Sequence, residues 1–476
     1  MLTVSIGTLL LPFVLGFLIF LLPRFHKLLS LAVPLATAAF ALLLFTLREP
    51  FSFLLLDNFG VTLLVDQLGA FFFLTNAVVS LAVLSYVWQK NFTYFFYAML
   101  LFVHGSVNAA FLCTDFMSLY VALEVSGIAA FLLIAYPRTD RTIWVALRYL
   151  CVSNIAMLFY LVGAVLAYKA NHSFAYESLR GAPPEAVALI VMGLLVKGGV
   201  FVSGLWLPVT HSEADTPVSA MLSGIVVKAG VFPLLRCAIL IDELDPIIRT
   251  FGVATALLGV SYAVFEKDSK RMLAFHTVSQ LGFVMAAPAV GGFYALTHGL
   301  VKSALFLMAG SLPSRNFKEL QKKSIRPSIW VALTIASLSI SGAPLLAGYG
   351  AKVLTLKEVW SWQAIALNLA AVGTAISFAK FIFLPRSPEA EEHKPGIWAA
   401  VTLLLSGLVI ANMVYLDAYS LDSLLKAVGT IALGWAAYWV FFRRADIKLP
   451  RLLEEFENLV GVMGLMLILI FWMALA

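Results

Sequence analysis

The sequence is poor in charged residues, and this limits what the chain can be. Asp, Glu, Lys and Arg make up 12% of its 476 residues, whereas 62% are hydrophobic. Because a soluble globular domain carries about 25% charged residues, this composition indicates a polytopic membrane protein. The net charge of +6 does not indicate nucleic acid binding, since the basic residues lie in short connections between apolar spans, where topology signals belong.

Cysteine is also scarce, and the sites that depend on it are missing. Cys113, Cys151 and Cys237 are isolated, with no CxxC pair and no histidine at ligand spacing, so neither a disulfide framework nor an iron–sulfur cluster is predicted. The sequence also lacks a Gly-rich phosphate loop, a paired-carboxylate site and a nucleophile triad. We therefore predict no catalytic residue, no metal site and no redox cofactor of the chain's own.

Apolar stretches long enough for a membrane helix, about 20 residues, recur along the whole chain. They give about sixteen spans, near residues 4–22, 28–47, 68–88, 92–111, 116–136, 144–168, 186–206, 218–240, 247–265, 272–290, 293–312, 329–349, 362–384, 397–416, 424–442 and 459–475. These segments are apolar on every face, whereas the strands of an outer-membrane barrel alternate. We predict an all-α helical bundle whose first span is retained, because it lacks a basic start and a clear cleavage site.

Basic residues are distributed unevenly between the connections, and this asymmetry predicts the topology. Most of them, such as Arg24, Lys90 and Arg271, follow odd-numbered spans. Since Lys and Arg are retained on the cytoplasmic side, we expect the amino terminus outside. The chain is thus predicted to be a multi-pass protein of a bacterial or archaeal cell membrane.

Five charged side chains lie inside apolar segments: Glu124, Lys197, Lys228, Lys302 and Lys352. A charge at the bilayer centre costs roughly 2.5 to 3.5 kcal/mol on insertion scales, so packing alone is a poor explanation for five of them. Apart from Lys352, they lie about eight to eleven residues into their spans, near the middle of a roughly 30 Å core. This common depth predicts a lateral proton path at mid-membrane, with water filling the gaps.

Two pairs that involve these residues have a predicted relationship. His298 and Lys302 are four residues apart and therefore share one helix face. Glu124 is the candidate charge partner of Lys197, at about 7 Å, where two unit charges interact by about 2 kcal/mol at an effective dielectric near 20. The alternative is that Glu124 and Lys197 form a static ion pair that fixes helix register.

Other polar positions have less specific signals. His276 follows a basic pair closely and lies either at a channel mouth or at a cap of the tenth span. Lys380 is late in its span and is expected to snorkel to the surface. A metal site would be an alternative reading of His211, Glu213 and Asp215, but a short loop is weak support for one.

Two spans are interrupted in a similar way. The seventh carries Lys197 and two glycines before Trp206-Leu207-Pro208, and the twelfth runs through Ser341-Gly342-Ala343-Pro344 before Lys352. Broken helices in matching places are typical of internal repeats, and a separation of five spans, an odd number, requires the two units to run in opposite directions. We predict three helices in 1–90, a first repeat of spans four to eight in 91–241, an inverted repeat of spans nine to thirteen in 242–386, and further helices in 387–476.

Several motifs occur in a specific order between about residues 60 and 385. They are Leu194-Leu195-Val196-Lys197, Trp206-Leu207-Pro208, Thr216-Pro217-Val218-Ser219-Ala220, Val227-Lys228-Ala229-Gly230-Val231, Arg271 to Gly282, His298 to Leu307, and Ser341-Gly342-Ala343-Pro344 with Lys352. This series resembles the proton-conducting subunits shared by Mrp-type multisubunit cation/proton antiporters and respiratory complex I. Lysine in both the eighth and twelfth helices, with the run His276-Thr277-Val278-Ser279-Gln280, is most similar to the D-type subunit of the Mrp antiporters.

The resemblance implies about fourteen core helices with inverted five-helix repeats around a hydrophilic axis. It also implies roles along a proton path, with Glu124 in the fifth helix, Lys197 at the broken helix, Lys228 as a bridge and Lys352 as the terminal lysine. His298 and Lys302 would form the eleventh-helix relay, and His276 is the further candidate of the path.

The chain departs from the usual motifs at several positions. Gly199, Val202 and Gly204 replace two prolines and a histidine, and Leu345 replaces one proline of the twelfth-helix pair. Asp215 stands where a small or apolar residue is common. The last two spans, from about residue 424, exceed the fourteen-helix core and have no assignment in the family.

Two functions from different classes are compatible with these observations. The chain is either a proton-translocating subunit of a multisubunit Na⁺/H⁺ antiporter or a pumping subunit of a quinone- or hydrogenase-linked oxidoreductase, in which case it would belong to an enzyme as a translocase subunit. The D-type motifs favour the antiporter. Both functions imply other membrane subunits as partners, protons and Na⁺ as ions, and a lipid bilayer, without nucleic acid.

Overall fold

The computed structural model describes residues 1–56, 60–389, 396–444 and 447–475, most of which are helical. Thirteen helices in these ranges are long and apolar enough to cross a membrane. Three further segments, Ser269–Ala286, 327–358 and Ile397–Asn412, occupy the remaining predicted spans. The described chain therefore agrees with the predicted helical bundle of about sixteen spans.

The amino-terminal unit comprises three helices and a hairpin. Its elements are α1 (Leu2–Leu21), α2 (His26–Phe45), β1 (Phe51–Leu56), β2 (Gly60–Val65) and α3 (Gln67–Val87). The two strands pair antiparallel, with Phe51 opposite Val65. This hairpin is not predicted from the sequence, because periodicity alone cannot assign such short, largely apolar runs to strand or helix.

The next unit contains two spans that are each built from two helices. Its elements are α4 (Tyr94–Leu112), α5 (Phe116–Ile134), α6 (Asp140–Asn171), α7 (Pro184–Lys197), α8 (Leu207–Glu213), α9 (Thr216–Met221) and α10 (Val227–Leu240). A 3-10 turn, Val202–Trp206, precedes α8, and a π-helical turn, Leu222–Val226, joins α9 to α10. Irregular backbone at membrane depth is tolerated where protein surrounds it, and nearly all residues at both breaks are buried.

The third unit has a broken span of its own. Its elements are α11 (Asp245–Phe265), α12 (Ser269–Ala286), α13 (Gly291–Ala309), the short α14 (Phe317–Leu320), α15 (Pro327–Ser341), α16 (Ala347–Glu358) and α17 (Ser361–Ile382). The gap between α15 and α16 is the predicted interruption of the twelfth span. Every residue of α12 and α13 is buried, so their polar side chains face protein, where they are tolerated, and not lipid.

Three helices complete the chain: α18 (Ile397–Asn412), α19 (Leu421–Ala437) and α20 (Phe456–Leu475). α18 packs on α3 and α13, α19 on α17, and α20 on α7. Helices α1, α2, α19 and α20 leave most of their apolar surface exposed, whereas α9, α10 and α13 are almost completely buried. The charged side chains of the eighth and eleventh spans therefore lie in the centre of the bundle.

Candidate functional site

At the break in the seventh span, the backbone carbonyl freed at the end of α7 has hydrogen-bond partners. Gly199 adopts φ +70°, a conformation that favours glycine. The Val196 carbonyl, freed at the end of α7, accepts the Gly199 N–H at 3.1 Å and the Trp206 indole N–H at 2.9 Å. The tryptophan of the Trp-Leu-Pro motif thus holds the broken end of the helix that carries Lys197.

Lys197 is the last residue of α7 and is buried, with 6% of its surface exposed. Its Nζ donates to Ser153 Oγ on α6 at 2.6 Å. Glu124 on α5 acts electrostatically on Lys197, but no direct ion pair joins these two residues, and Glu124 Oε1 is buried without a hydrogen-bond partner among the described residues. The role of Glu124 as the charge partner of Lys197 therefore stays a prediction.

Gly127, one turn after Glu124 on α5, makes room for the Lys197 ammonium. A Cβ atom built at Gly127 would lie 2.8 Å from Lys197 Nζ and 3.3 Å from Ser153 Oγ. The first distance is shorter than a normal contact, so a larger residue would displace the lysine. The position of the ammonium therefore depends on the absence of a side chain at Gly127.

Lys228 and His298 are in direct contact at the centre of the bundle. Lys228 is fully buried, and its Nζ lies 3.2 Å from His298 Nδ1 on α13. It also donates to the Ser223 carbonyl at 3.1 Å, within the π-helical turn that precedes α10. Such turns free backbone carbonyls and are frequent at functional sites. The turn here supplies a carbonyl ligand to a buried lysine.

Lys302 lies one helical turn after His298, as predicted, and contacts the next helix. Its Nζ donates to the Leu273 carbonyl of α12. A hydrogen bond between Ser223 and Thr277 hydroxyls, at 2.7 Å, also ties α12 to the π-helical turn beside Lys228. Lys302 of the eleventh span is thus bonded directly to α12, and Lys228 of the eighth span is connected to the same helix through the π-helical turn.

His276 is deep inside the bundle, which corrects both of its predicted positions. It is fully buried and lies two turns into α12, whose amino-terminal cap is Asp268, accepting the Arg271 N–H at 2.9 Å. It therefore neither caps the helix nor lies at a surface mouth. Both ring nitrogens lack hydrogen-bond partners within the described protein, and the charges of Lys302 and Lys352 both act on the ring.

Lys352 lies on α16, just after the break in the twelfth span. It is 7% exposed, and its Nζ has no hydrogen-bond partner among the described residues. A small cavity of about 10 Å³ separates His298 from this break, lined in part by Gln280, Tyr294 and Gly348. The cavity has a polar lining and a size close to that of one water molecule. A water molecule there would bridge α13 and the broken span.

His211 is a buried histidine whose surroundings are not predicted from the sequence. It lies on α8, is fully buried, and both ring nitrogens lack partners in the described protein. The charges of Lys302 and Lys228 act on it. Glu213 instead pairs with Arg141 at 3.8 Å, and no group of three metal-ligating side chains occurs in the described ranges. The sequence feature that could have identified His211 is its position one turn after Trp206-Leu207-Pro208.

Lys380 has a structural contact in place of the predicted surface position. Its Nζ donates to the carbonyl oxygens of Val264 at 2.7 Å and Glu266 at 2.8 Å, with a third bond to Ala263 at 3.2 Å. Two of these carbonyls belong to the last turn of α11 and the third to Glu266, which caps that helix, and cations at this end stabilise a helix. Snorkelling is therefore the wrong description, because Lys380 caps a neighbouring helix.

These observations define the class of the protein. It is a polytopic membrane protein whose interior holds several buried lysine and histidine side chains, two of which, Lys228 and His298, are in direct contact. A family model described as "NADH:quinone oxidoreductase/Mrp antiporter, TM" matches residues 113–377, which is more than half of the chain. The chain belongs to this family, as the resemblance of its motifs predicts.

Relatives of both functional types are similar to the chain. It is 27% identical over 415 residues to the D-type subunit of the Na⁺/H⁺ antiporter of Alkalihalophilus pseudofirmus, covering 78% of this chain and 84% of the relative. It is 30% identical over 364 residues to the N-type subunit of the NADH-quinone oxidoreductase of Desulforudis audaxviator, covering 68% and 72%. A chain of the archaeal membrane-bound sulfane sulfur reductase matches with a TM-score of 0.78 at 21% identity, covering 91% of this chain and 99% of that chain. The structural match establishes a shared fold.

Proposed function

We propose that the chain is the proton-translocating subunit of a multisubunit Na⁺/H⁺ antiporter. The observation that carries this proposal is the buried contact between Lys228 Nζ and His298 Nδ1 at 3.2 Å, with Lys302 one turn further along α13. A lysine and an imidazole can each bind and release a proton, whereas an arginine in these places would stay charged. The cluster therefore has the chemistry of a relay.

The relay would run laterally through the bundle. Lys197, adjacent to Glu124, supplies its first section. Lys228, His298 and Lys302 form the central section, in which two groups are already in contact. His276 would connect Lys302 to the last section at Lys352. Water would bridge the separated steps, because a buried ammonium without a protein partner is costly unless something solvates it.

The two broken spans support the proposed repeats. In 91–241 the seventh span breaks directly after Lys197, and in 242–386 the twelfth breaks before Lys352. Matching interruptions in units of opposite direction are typical of inverted repeats. We infer that each repeat contributes one broken helix with a lysine to the same axis.

The cell location follows from the charge asymmetry of the connections. The basic residues concentrate after odd-numbered spans, so the amino terminus would face the outside of a bacterial or archaeal cell. Other membrane subunits would complete the assembly, and the similarity to an antiporter subunit of the D type supports this composition.

A second function has its own support. The 30% identity to a subunit of an NADH-quinone oxidoreductase favours a pumping subunit driven by electron transfer elsewhere in the complex. The relay chemistry would be the same, since this chain would contribute the proton path in either case. The energy source, and therefore the neighbouring subunits, distinguishes the two.

Reconstitution of the purified complex in proteoliposomes tests the proposed function. An imposed Na⁺ gradient is expected to drive proton movement without any electron donor, and mass spectrometry of the gently solubilised complex is expected to find membrane subunits alone. Proton movement that requires a quinone or hydrogenase substrate, with flavin or iron–sulfur proteins in the complex, would overturn the antiporter assignment in favour of the oxidoreductase.

Gly127→Ala is expected to lower transport while the complex still assembles. The added methyl group displaces the Lys197 ammonium, 2.8 Å from the built Cβ, and breaks its bond to Ser153. A hydrogen bond to a charged group contributes about 1.5 to 3 kcal/mol, and about 1.4 kcal/mol corresponds to tenfold, so a loss of about 10-fold to 10²-fold is expected in proton uptake by membrane vesicles. Gly461→Ala on α20 is the matched control, because no atom of the described residues lies within 4 Å of a Cβ at this position. Wild-type uptake by the Gly127→Ala variant would contradict the role of Lys197.

A further inference from the structure

A cavity of about 320 Å³ lies beside Lys352. Its walls come from α16, α17 and α19, and include Lys352, Asn368, Asp422, Lys426 and Thr430. Lys352 is buried, whereas the Asp422 and Lys426 side chains are 73% and 74% exposed. The cavity therefore extends from a buried ammonium to the surface of the bundle.

The helix α19 turns a polar stripe towards this cavity. Asp422, Lys426 and Thr430 follow one another at intervals of four and so lie on one helix face. Lys426 Nζ pairs with Asp422 at 2.6 Å, and the Thr430 hydroxyl donates to the Lys426 carbonyl at 2.8 Å. Asp422 and Lys426 lie at the exposed end of the stripe, whereas Thr430 is half-buried one turn further along α19 and lines the cavity. Leu425 and Val428, which lie off the stripe, are 65% and 55% exposed. Polar residues in membrane helices face protein or a water-filled cavity, which accounts for the position of Thr430 beside the cavity.

The segment before α19 is fastened to the break in the twelfth span. The Tyr419 hydroxyl accepts the Leu345 N–H at 2.9 Å and donates to Asn412 at 2.9 Å, while the Tyr349 hydroxyl donates to the Ala418 carbonyl at 3.2 Å. Leu345 replaces a proline of the usual motif, and a proline would have no N–H to donate. The contact therefore depends on the residue that departs from the motif.

We propose that α19, which lies beyond the fourteen-helix core, forms one wall of an aqueous half-channel through which Lys352 exchanges its proton with the membrane surface. The proposal rests on the function proposed above for Lys352. The cavity can hold several water molecules, which would solvate the Lys352 ammonium. An even number of spans separates the amino terminus from both the end of α16 and the start of α19, so the half-channel opens on the side of the amino terminus.

Cysteine labelling in the assembled complex tests this wall. Thr430→Cys places a thiol in the cavity, and Val428→Cys places one on the exposed apolar face of the same helix. Both are made with Cys151→Ser, since Cys151 is exposed while Cys113 and Cys237 are buried. The probe is a charged, membrane-impermeant methanethiosulfonate added to vesicles. Because only a solvated thiol ionises readily, Thr430→Cys is expected to react about tenfold faster than Val428→Cys.

Transport after labelling completes the test. Labelled Thr430→Cys is expected to lose most of its proton transport, because the attached charge obstructs the half-channel, whereas Val428→Cys keeps its rate. Equal labelling of the two positions, or unchanged transport after complete labelling of Thr430→Cys, would overturn the inference about α19. Neither result would affect the proposed function if Lys228→Ala still abolishes transport, so the two failures are distinguishable.

Discussion

Replacing Lys228 by alanine is expected to reduce proton transport by about 10²-fold or more, the scale of a positioned acid or base, while the complex still assembles. Lys228 Nζ lies 3.2 Å from His298 Nδ1 and 3.1 Å from the Ser223 carbonyl, at the junction between the two halves of the proposed relay. Alanine removes the proton carrier and also removes a costly buried charge, so assembly is not expected to suffer. The measurement is proton movement in vesicles, normalised to the amount of assembled complex.

Lys169→Ala is the matched control for this variant. Lys169 is an exposed lysine in the last turn of α6, outside every part of the proposed path. This variant loses the same side chain as Lys228→Ala, and it is expected to transport protons at the wild-type rate. Retained transport by Lys228→Ala at normal levels of assembled complex would rule out the central section of the relay.

His298→Leu is expected to have an effect of similar size, about 10²-fold. Leucine keeps much of the volume of the imidazole but cannot exchange a proton with Lys228. Lys302, one turn away on α13, would then be separated from Lys228. Lys228 keeps its bond to the Ser223 carbonyl, so its position should persist while transport is lost. Proton movement in vesicles, compared with the amount of assembled complex, measures both effects.

His104 provides a control histidine that is equally buried but lies outside the relay. Its two ring nitrogens bond to the Thr37 and Ser80 hydroxyls, both at 2.8 Å. His104→Gln is therefore expected to lower thermal stability by about 1 to 3 kcal/mol while the assembled fraction keeps its transport. If both histidine variants lost transport in proportion to their stability, a structural role for His298 would replace the relay.

Much of the fold follows from the sequence because lipid imposes strict lengths and polarity on a membrane helix. The spans agree with the described helices to within a few residues at most ends, and the glycines after Lys197 predict where α7 stops. The spacing of four residues also predicts that His298 and Lys302 share one face of α13, whereas the lateral path inferred from the common depth of the charged residues stays a prediction. These features depend on local composition and on the thickness of the bilayer.

Other features depend on contacts between distant segments, which a single sequence does not reveal. The three carbonyls that hold Lys380 come from the carboxyl end of α11 and its cap, and the burial of His276 and His211 is set by neighbouring helices. The hairpin at Phe51–Leu56 and Gly60–Val65 is apolar enough to be mistaken for part of a span. The π-helical turn before Lys228 has no clear signal in its residues, although it supplies a carbonyl to the lysine.

In the last three helices, too, some features can be predicted from the sequence and others require the structure. The polar stripe of Asp422, Lys426 and Thr430 can be read from spacing alone, but the cavity that it faces requires the position of α16. The structural role of Tyr419 likewise becomes apparent only from its contact with the Leu345 backbone. The part of the chain that the family motifs do not cover is therefore where the structure adds most.

In the proposed relay, water connects the buried lysines into one path. A cryo-electron microscopy map of the complex in a lipid nanodisc, detailed enough to show ordered water, tests this connection. We expect water density within hydrogen-bond distance between Lys197 and Lys228 and between His298 and Lys352. Tightly packed apolar side chains without water in either interval would contradict the account, because protons would then have no route along the bundle.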